Sequence, residues 1–67
     1  MKLEIGNKIY WECALGYLIG KVDNIVLDLN ADNKMVPWLV VKMQGTKSKM
    51  RLCATESNLK MMKVKVI

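Results

Sequence analysis

Lys42, Lys49, Arg51, Lys63 and Lys65 recur through the second half of the chain, each beside an apolar neighbour. A spacing of two puts such residues on one face of a strand. On such a face, ammonium and guanidinium groups neutralise phosphates. Trp38, of the same parity as Lys42, and Tyr10 add rings on which bases can stack, worth about 1–3 kcal/mol per base. The chemistry that these residue types offer is therefore non-covalent recognition of RNA or DNA. A second reading uses the same residues differently: the lysines protect exposed strand edges from pairing with other chains, and Trp38 belongs to the core or caps one end of it.

The charge is placed unevenly. Residues 1–33 hold three lysines against five carboxylates, a net of −2, whereas residues 34–67 hold seven lysines and Arg51 against Glu56 alone, a net of +7. Such polarity favours acidic or phosphate-bearing partners. Catalytic and metal chemistry finds less support. The chain has no histidine, so the commonest general base near neutrality is missing. Glu12, Asp23, Asp28 and Asp32 fall around loops and strand exteriors, with no spacing that demands a pair. Cys13 and Cys53 are too few for a disulfide framework and lack CxxC spacing, and a zinc site would have to combine both thiols with carboxylates. Free thiols, no catalytic residues, no metal and no cofactor are the expectation.

At 67 residues the chain reads as one domain, 1–67, near the lower limit for independent folding. Half of it is apolar, enough for a core. No apolar run approaches the roughly 20 residues of a membrane span, and the start lacks the apolar stretch of an export signal. A cytoplasmic protein without a membrane partner is expected.

The elements that must position the basic residues follow from a hydrophobic period of two. Ile9 and Trp11 share one face of a first strand, with Lys8 and Tyr10 on the other. A long second strand runs over 17–29, and its alternation slips at Asp23-Asn24, where a bulge or sharp bend is expected. Residues 30–34 have the composition of a loop. Pro37 opens a third strand, where its missing N–H does least harm, and the apolar residues on both sides of 38–43 fit a central position. Gly45 serves a hairpin turn over 44–48. Along 49–53, Met50 and Leu52 point inward and Lys49, Arg51 and Cys53 outward. Thr55 and Ser57 suit one capped helical turn over 55–59. Met62, Val64 and Val66 then form the inner side of a last strand whose outer side carries Lys63 and Lys65.

Five strands with short connections and a helical turn before the last describe an all-β, SH3-like five-stranded small barrel, with an OB-like barrel as the alternative. Gly6-x-x-Ile9-x-Trp11, then Gly20-x-Val22, then an apolar third strand and a tight turn before the last, resemble bacterial Tudor-like and KOW-like small barrels over nearly the whole chain. KOW-like barrels often contact RNA or ribosomal proteins, so the resemblance implies a nucleic-acid or ribonucleoprotein partner. Tudor-like barrels imply an aromatic cage for a methylated cation. Here Tyr10, Trp11, Tyr17 and Trp38 are the only aromatics, and Trp11 has the parity of the core. Type II dihydrofolate reductases are SH3-like barrels of similar size. They carry Val-Gln-Ile-Tyr where this chain has Met50-Arg51-Leu52-Cys53, and Arg51 and Cys53 remove the groups that hold cofactor and substrate there.

The resulting expectation is a small non-catalytic binding module that contacts nucleic acid or a ribonucleoprotein through Lys42, Lys49, Arg51, Lys63 and Lys65, with Trp38 and Tyr10 as stacking platforms. The alternative is a protein-interaction or homo-oligomeric accessory protein. It would use a groove between the 13–17 loop and the 44–48 turn, or an exposed strand edge, and a homodimer is one form of it.

Overall fold

A computed structural model describes residues 2–67. It holds five strands and one short helix: β1 (Lys8–Cys13), β2 (Gly16–Leu29), β3 (Met35–Met43), β4 (Lys49–Cys53), α1 (Glu56–Met61) and β5 (Lys65–Val66). All strand pairs are antiparallel, and the order across the sheet is β4-β3-β2-β1-β5. The all-β expectation holds. No described helix is long and apolar enough to cross a membrane.

Alternation builds the core. Ile9 and Trp11 from β1, Val22 from β2, Leu39 and Val41 from β3, Leu52 from β4 and Val64 before β5 are buried, and Leu18, Met43, Met50 and Leu59 pack against them. The ladder places these residues opposite one another: Trp11 faces Leu18, Val22 faces Val41, and Leu39 faces Leu52. Gly20, between Ile9 and Met43 in the register, has no room for a side chain. A Cβ there would lie 2.5 Å from Val41 Cγ1 and 2.7 Å from the Lys42 carbonyl oxygen. Trp11 fills the centre at the cost of a buried indole N–H without a partner among the described residues.

The slip expected at Asp23-Asn24 is a register shift between Val22 and Asn24. One extra residue at Asp23 keeps the apolar residues beyond it on the core side: Ile25 faces Leu39, Leu27 faces Pro37, and Leu29 faces Met35. Beyond the bulge β4 still flanks β3 as far as Trp38, and past that point β2 and β3 continue as a two-stranded arm closed by the 30–34 loop. There the Asn30 side-chain oxygen accepts the N–H groups of Asp32 and Lys34 at 2.9 and 3.0 Å.

Two expectations are corrected around the helix. Thr55 sits at the N-cap in extended geometry, but its hydroxyl makes no capping bond. Asn58 anchors the helix instead, donating from Nδ2 to the Cys53 carbonyl at 2.6 Å. Met62 and Lys63 do not belong to the last strand, which is only Lys65–Val66. Lys63 has φ +52, with its N–H on the Lys60 carbonyl at 3.1 Å and the Val64 N–H on the Leu59 carbonyl at 3.0 Å. This is a Schellman C-cap with lysine in the left-handed position that glycine usually takes. Val66, expected inside, is exposed.

Candidate nucleic-acid interface

The face of the sheet turned away from the core collects the charge. Three registers bring four lysines into one line across the strands: Lys8 opposite Lys21, Lys21 opposite Lys42, and Lys42 opposite Lys49. With strands about 4.8 Å apart, the row spans about 14 Å. Like charges placed directly opposite are destabilising, so folding alone does not favour this arrangement. Only Lys49 has a partner, donating to Asp23 Oδ2 at 2.8 Å. Among the described residues no carboxylate lies within ion-pair distance of Lys8, Lys21 or Lys42.

An open cleft of about 830 Å³ adjoins the row. Gly6, Lys8, Lys21, Lys42, Gln44 and Lys47 are among the residues that line it. The groove beside the 44–48 turn is thus completed by Gly6 and Lys8, not by the expected 13–17 loop. That loop is a tight hairpin, with Cys13 paired to Gly16 across Ala14 and Leu15.

Aromatic groups stand on both sides of the row. Two residues from Lys8 along β1, Tyr10 stacks on Tyr17, with ring centroids 5.4 Å apart and planes at 26°. Tyr17 is 65% exposed and Tyr10 half-buried. On the other side, Trp38 shares the face of Val40 and Lys42, as its parity indicates. The Arg51 guanidinium lies 5.0 Å from the Trp38 ring centroid and its Nη2 donates to Asp28 Oδ2 at 2.9 Å. The Trp38 indole nitrogen is enclosed without a hydrogen-bond partner among the described residues.

The two carboxylates respond to these contacts. The hydrogen bond from Lys49, reinforced by that lysine's charge and more weakly by Lys42 and Lys21, holds Asp23 below the usual aspartate range. The hydrogen bond from Arg51, then the Leu29 N–H, does the same for Asp28. Both pairs are exposed, where solvent screening leaves ion pairs little net strength.

The structure thus brings Trp38, Lys42, Lys49 and Arg51 onto one face, but two of the four are engaged by aspartates. Lys63 does not extend that strip, and Lys65 reaches the same face only at its far edge, beside Tyr10. β5 lies beyond β1, with β1 and β2 separating it from β3. Lys65 faces Tyr10, and Lys63 lies 3.5 Å from Glu12. Lys8, Lys21 and Lys47 are the basic residues that sequence reasoning did not select. The outward parity of Lys8 was visible, but its alignment with Lys21 depends on the two-residue turn after Cys13. Both thiols are free, Cys13 exposed and Cys53 half-buried, and no three potential metal ligands gather among the described residues. No protein-family model matches the chain, and no curated protein or solved structure is significantly similar to it.

Proposed function

We propose that this chain is a non-catalytic binding module that contacts nucleic acid, free or within a ribonucleoprotein, through its lysine-rich sheet face. The observation that carries the reading is the row Lys8–Lys21–Lys42, three cations held in register without carboxylate partners among the described residues. A polyanion offsets the repulsion that the row stores. The strand order, with a long bent β2 shared between neighbours and a helical turn before β5, supports an SH3-like barrel as the scaffold. The cytoplasm, where RNA and DNA are accessible, is the compartment that fits this reading.

The test is a titration with RNA and DNA, followed by intrinsic fluorescence over a range of salt. Each lysine that neutralises a phosphate adds about 0.7–0.9 to the slope of log K against log salt. Lys8, Lys21, Lys42 and Lys47 together then give a slope near −3 and a loss of about 50- to 150-fold between about 50 and 200 mM. Lys21→Ala with Lys42→Ala should flatten that slope by about 1.5, and Lys49→Ala with Arg51→Ala by less, because aspartates already engage both. Salt-independent binding, or none at low salt, removes the reading.

One observation favours self-association as a second reading. On the core side of the arm, Leu27, Leu29 and Met35 are 69%, 50% and 62% exposed, an apolar face that nothing in the described chain covers. Light scattering at high concentration would give a dimer mass on this reading, and a monomer mass would exclude it.

A further inference from the structure

Resting on the nucleic-acid reading, we propose that the ligand is single-stranded. Its phosphates follow Lys42, Lys21 and Lys8 across the strands, and one base stacks on the outer ring of the Tyr10–Tyr17 pair. Four observations converge on this. The first is the platform. Tyr17 lies against Tyr10 on one side and is otherwise largely in solvent, so a further flat ring can extend the stack. Bases within a duplex already have both faces stacked, whereas those of a single strand can be splayed onto an aromatic side chain.

The second is position. Tyr10 is the next outward residue after Lys8 on β1, so a chain leaving the lysine row at Lys8 arrives beside the stacked rings. Lys65, opposite Tyr10 on β5, supplies a further cation at that point. Trp38 is the poorer platform, because the Arg51 guanidinium already lies over its ring.

The third is the width of the positive lane. Along β1 the row is followed by Tyr10 and then Glu12, and along β2 Asp23 stands two residues from Lys21. One line of phosphates fits between these carboxylates. A duplex carries two lines and would bring the second towards Glu12 or Asp23.

The fourth is the cleft beside the row. Its volume of about 830 Å³ lies within the range of small-molecule sites, and four lysine side chains surround it. It is large enough to seat a nucleotide alongside the phosphate track. With its only arginine tied to Asp28, the site lacks the bidentate fork that reads guanine edges, so recognition is tolerant of sequence.

The experiment is fluorescence anisotropy with labelled RNA and DNA oligonucleotides of mixed sequence, about 12 nucleotides long, each also annealed to its complement. At low salt both single strands should bind at least ~10-fold more tightly than either duplex, the stacking term of about 1–3 kcal/mol per base being unavailable to paired bases. Tyr17→Ala should weaken single-strand binding by about 5- to 150-fold, the same term expressed as an affinity ratio, while Tyr17→Phe retains it. Tyr17 is exposed, and circular dichroism of each variant confirms that the sheet is kept. Equal affinity for duplex and single strand overturns the inference and leaves the nucleic-acid reading standing. Single-strand binding that Tyr17→Ala does not change overturns the platform. Binding of none of the four oligonucleotides overturns the inference and the nucleic-acid reading together.

Discussion

Lys21 is the residue at which stability and recognition should move in opposite directions. It stands in the middle of the row, flanked in register by Lys8 and Lys42, so Lys21→Gln removes two like-charge contacts while keeping most of the aliphatic stem. For ammonium groups about 6 Å apart in water, the repulsion is about 0.7 kcal/mol per pair, reduced to about 0.3 by physiological salt. Two pairs amount to about 0.6 kcal/mol, and attraction to nearby Asp23, which feels the charge of Lys21, returns part of this. A net gain of about 0.5 kcal/mol corresponds to a rise in Tm of about 2–4 °C for a domain of this size. The assay is a pair of thermal melts, in low salt and in about 1 M salt, where a screening length near 3 Å should nearly abolish the difference. The same variant should lose about 0.7–0.9 from the salt slope of nucleic-acid binding. A variant that melts below the parent, or whose gain is the same at both salt concentrations, refutes the stored repulsion.

Three further outcomes follow from packing and pairing. Gly20→Ala should cost about 1–3 kcal/mol in urea denaturation, because the new methyl group meets Val41 and the Lys42 backbone; an unchanged midpoint would mean that β2 and β3 separate freely there. Lys63→Gly should stabilise the fold by about 1 kcal/mol by relieving the left-handed lysine, measured in the same way; lost stability would show that the ion pair with Glu12 outweighs backbone strain. Asp23 and Asp28 are held below the ordinary aspartate value of about 3.9, so their contribution is present above that pH and is lost as pH falls through their lowered folded values. Carboxyl carbon shifts followed by NMR should show both titrating below the ordinary aspartate value, and titration at that value would contradict the two ion pairs.

Much of the sheet was legible because alternation is a local property. The slip after Val22, the 49–53 strand with Leu52 inward, and the burial of Trp11 each follow from a few neighbouring residues. The end of the helix was not legible, because lysine occupies the position where a glycine would have marked it, and 62–66 alternates well enough to read as a strand. The site was legible by half. Parity assigns Lys42, Lys49 and Arg51 to one face, but it does not say which residues lie side by side on neighbouring strands. That depends on the lengths of three turns and one bulge, and a shift of one residue in any of them would break the line of lysines. Nor does parity show that Asp23 and Asp28 reach across to Lys49 and Arg51, since the bulge sets the phase of the arm on which Asp28 stands.

The placement of β5 beside β1 has a consequence for the order of assembly. Every other neighbouring pair in the sheet is consecutive along the chain and closes through a short turn. Joining Ile9 to Val66 closes a loop of nearly the whole described chain, at an entropic cost of about 3–4 kcal/mol. Little rewards that closure until the four-strand meander exists to receive Val64, so the meander should form first and the last segment should dock late. Val64→Ala reports on this order: unfolding should accelerate while refolding stays nearly unchanged, and a matching loss of refolding rate would place the docking early. On that order the contact between the two ends of the fold is a clasp fastened after the meander, and its opening should come first in unfolding.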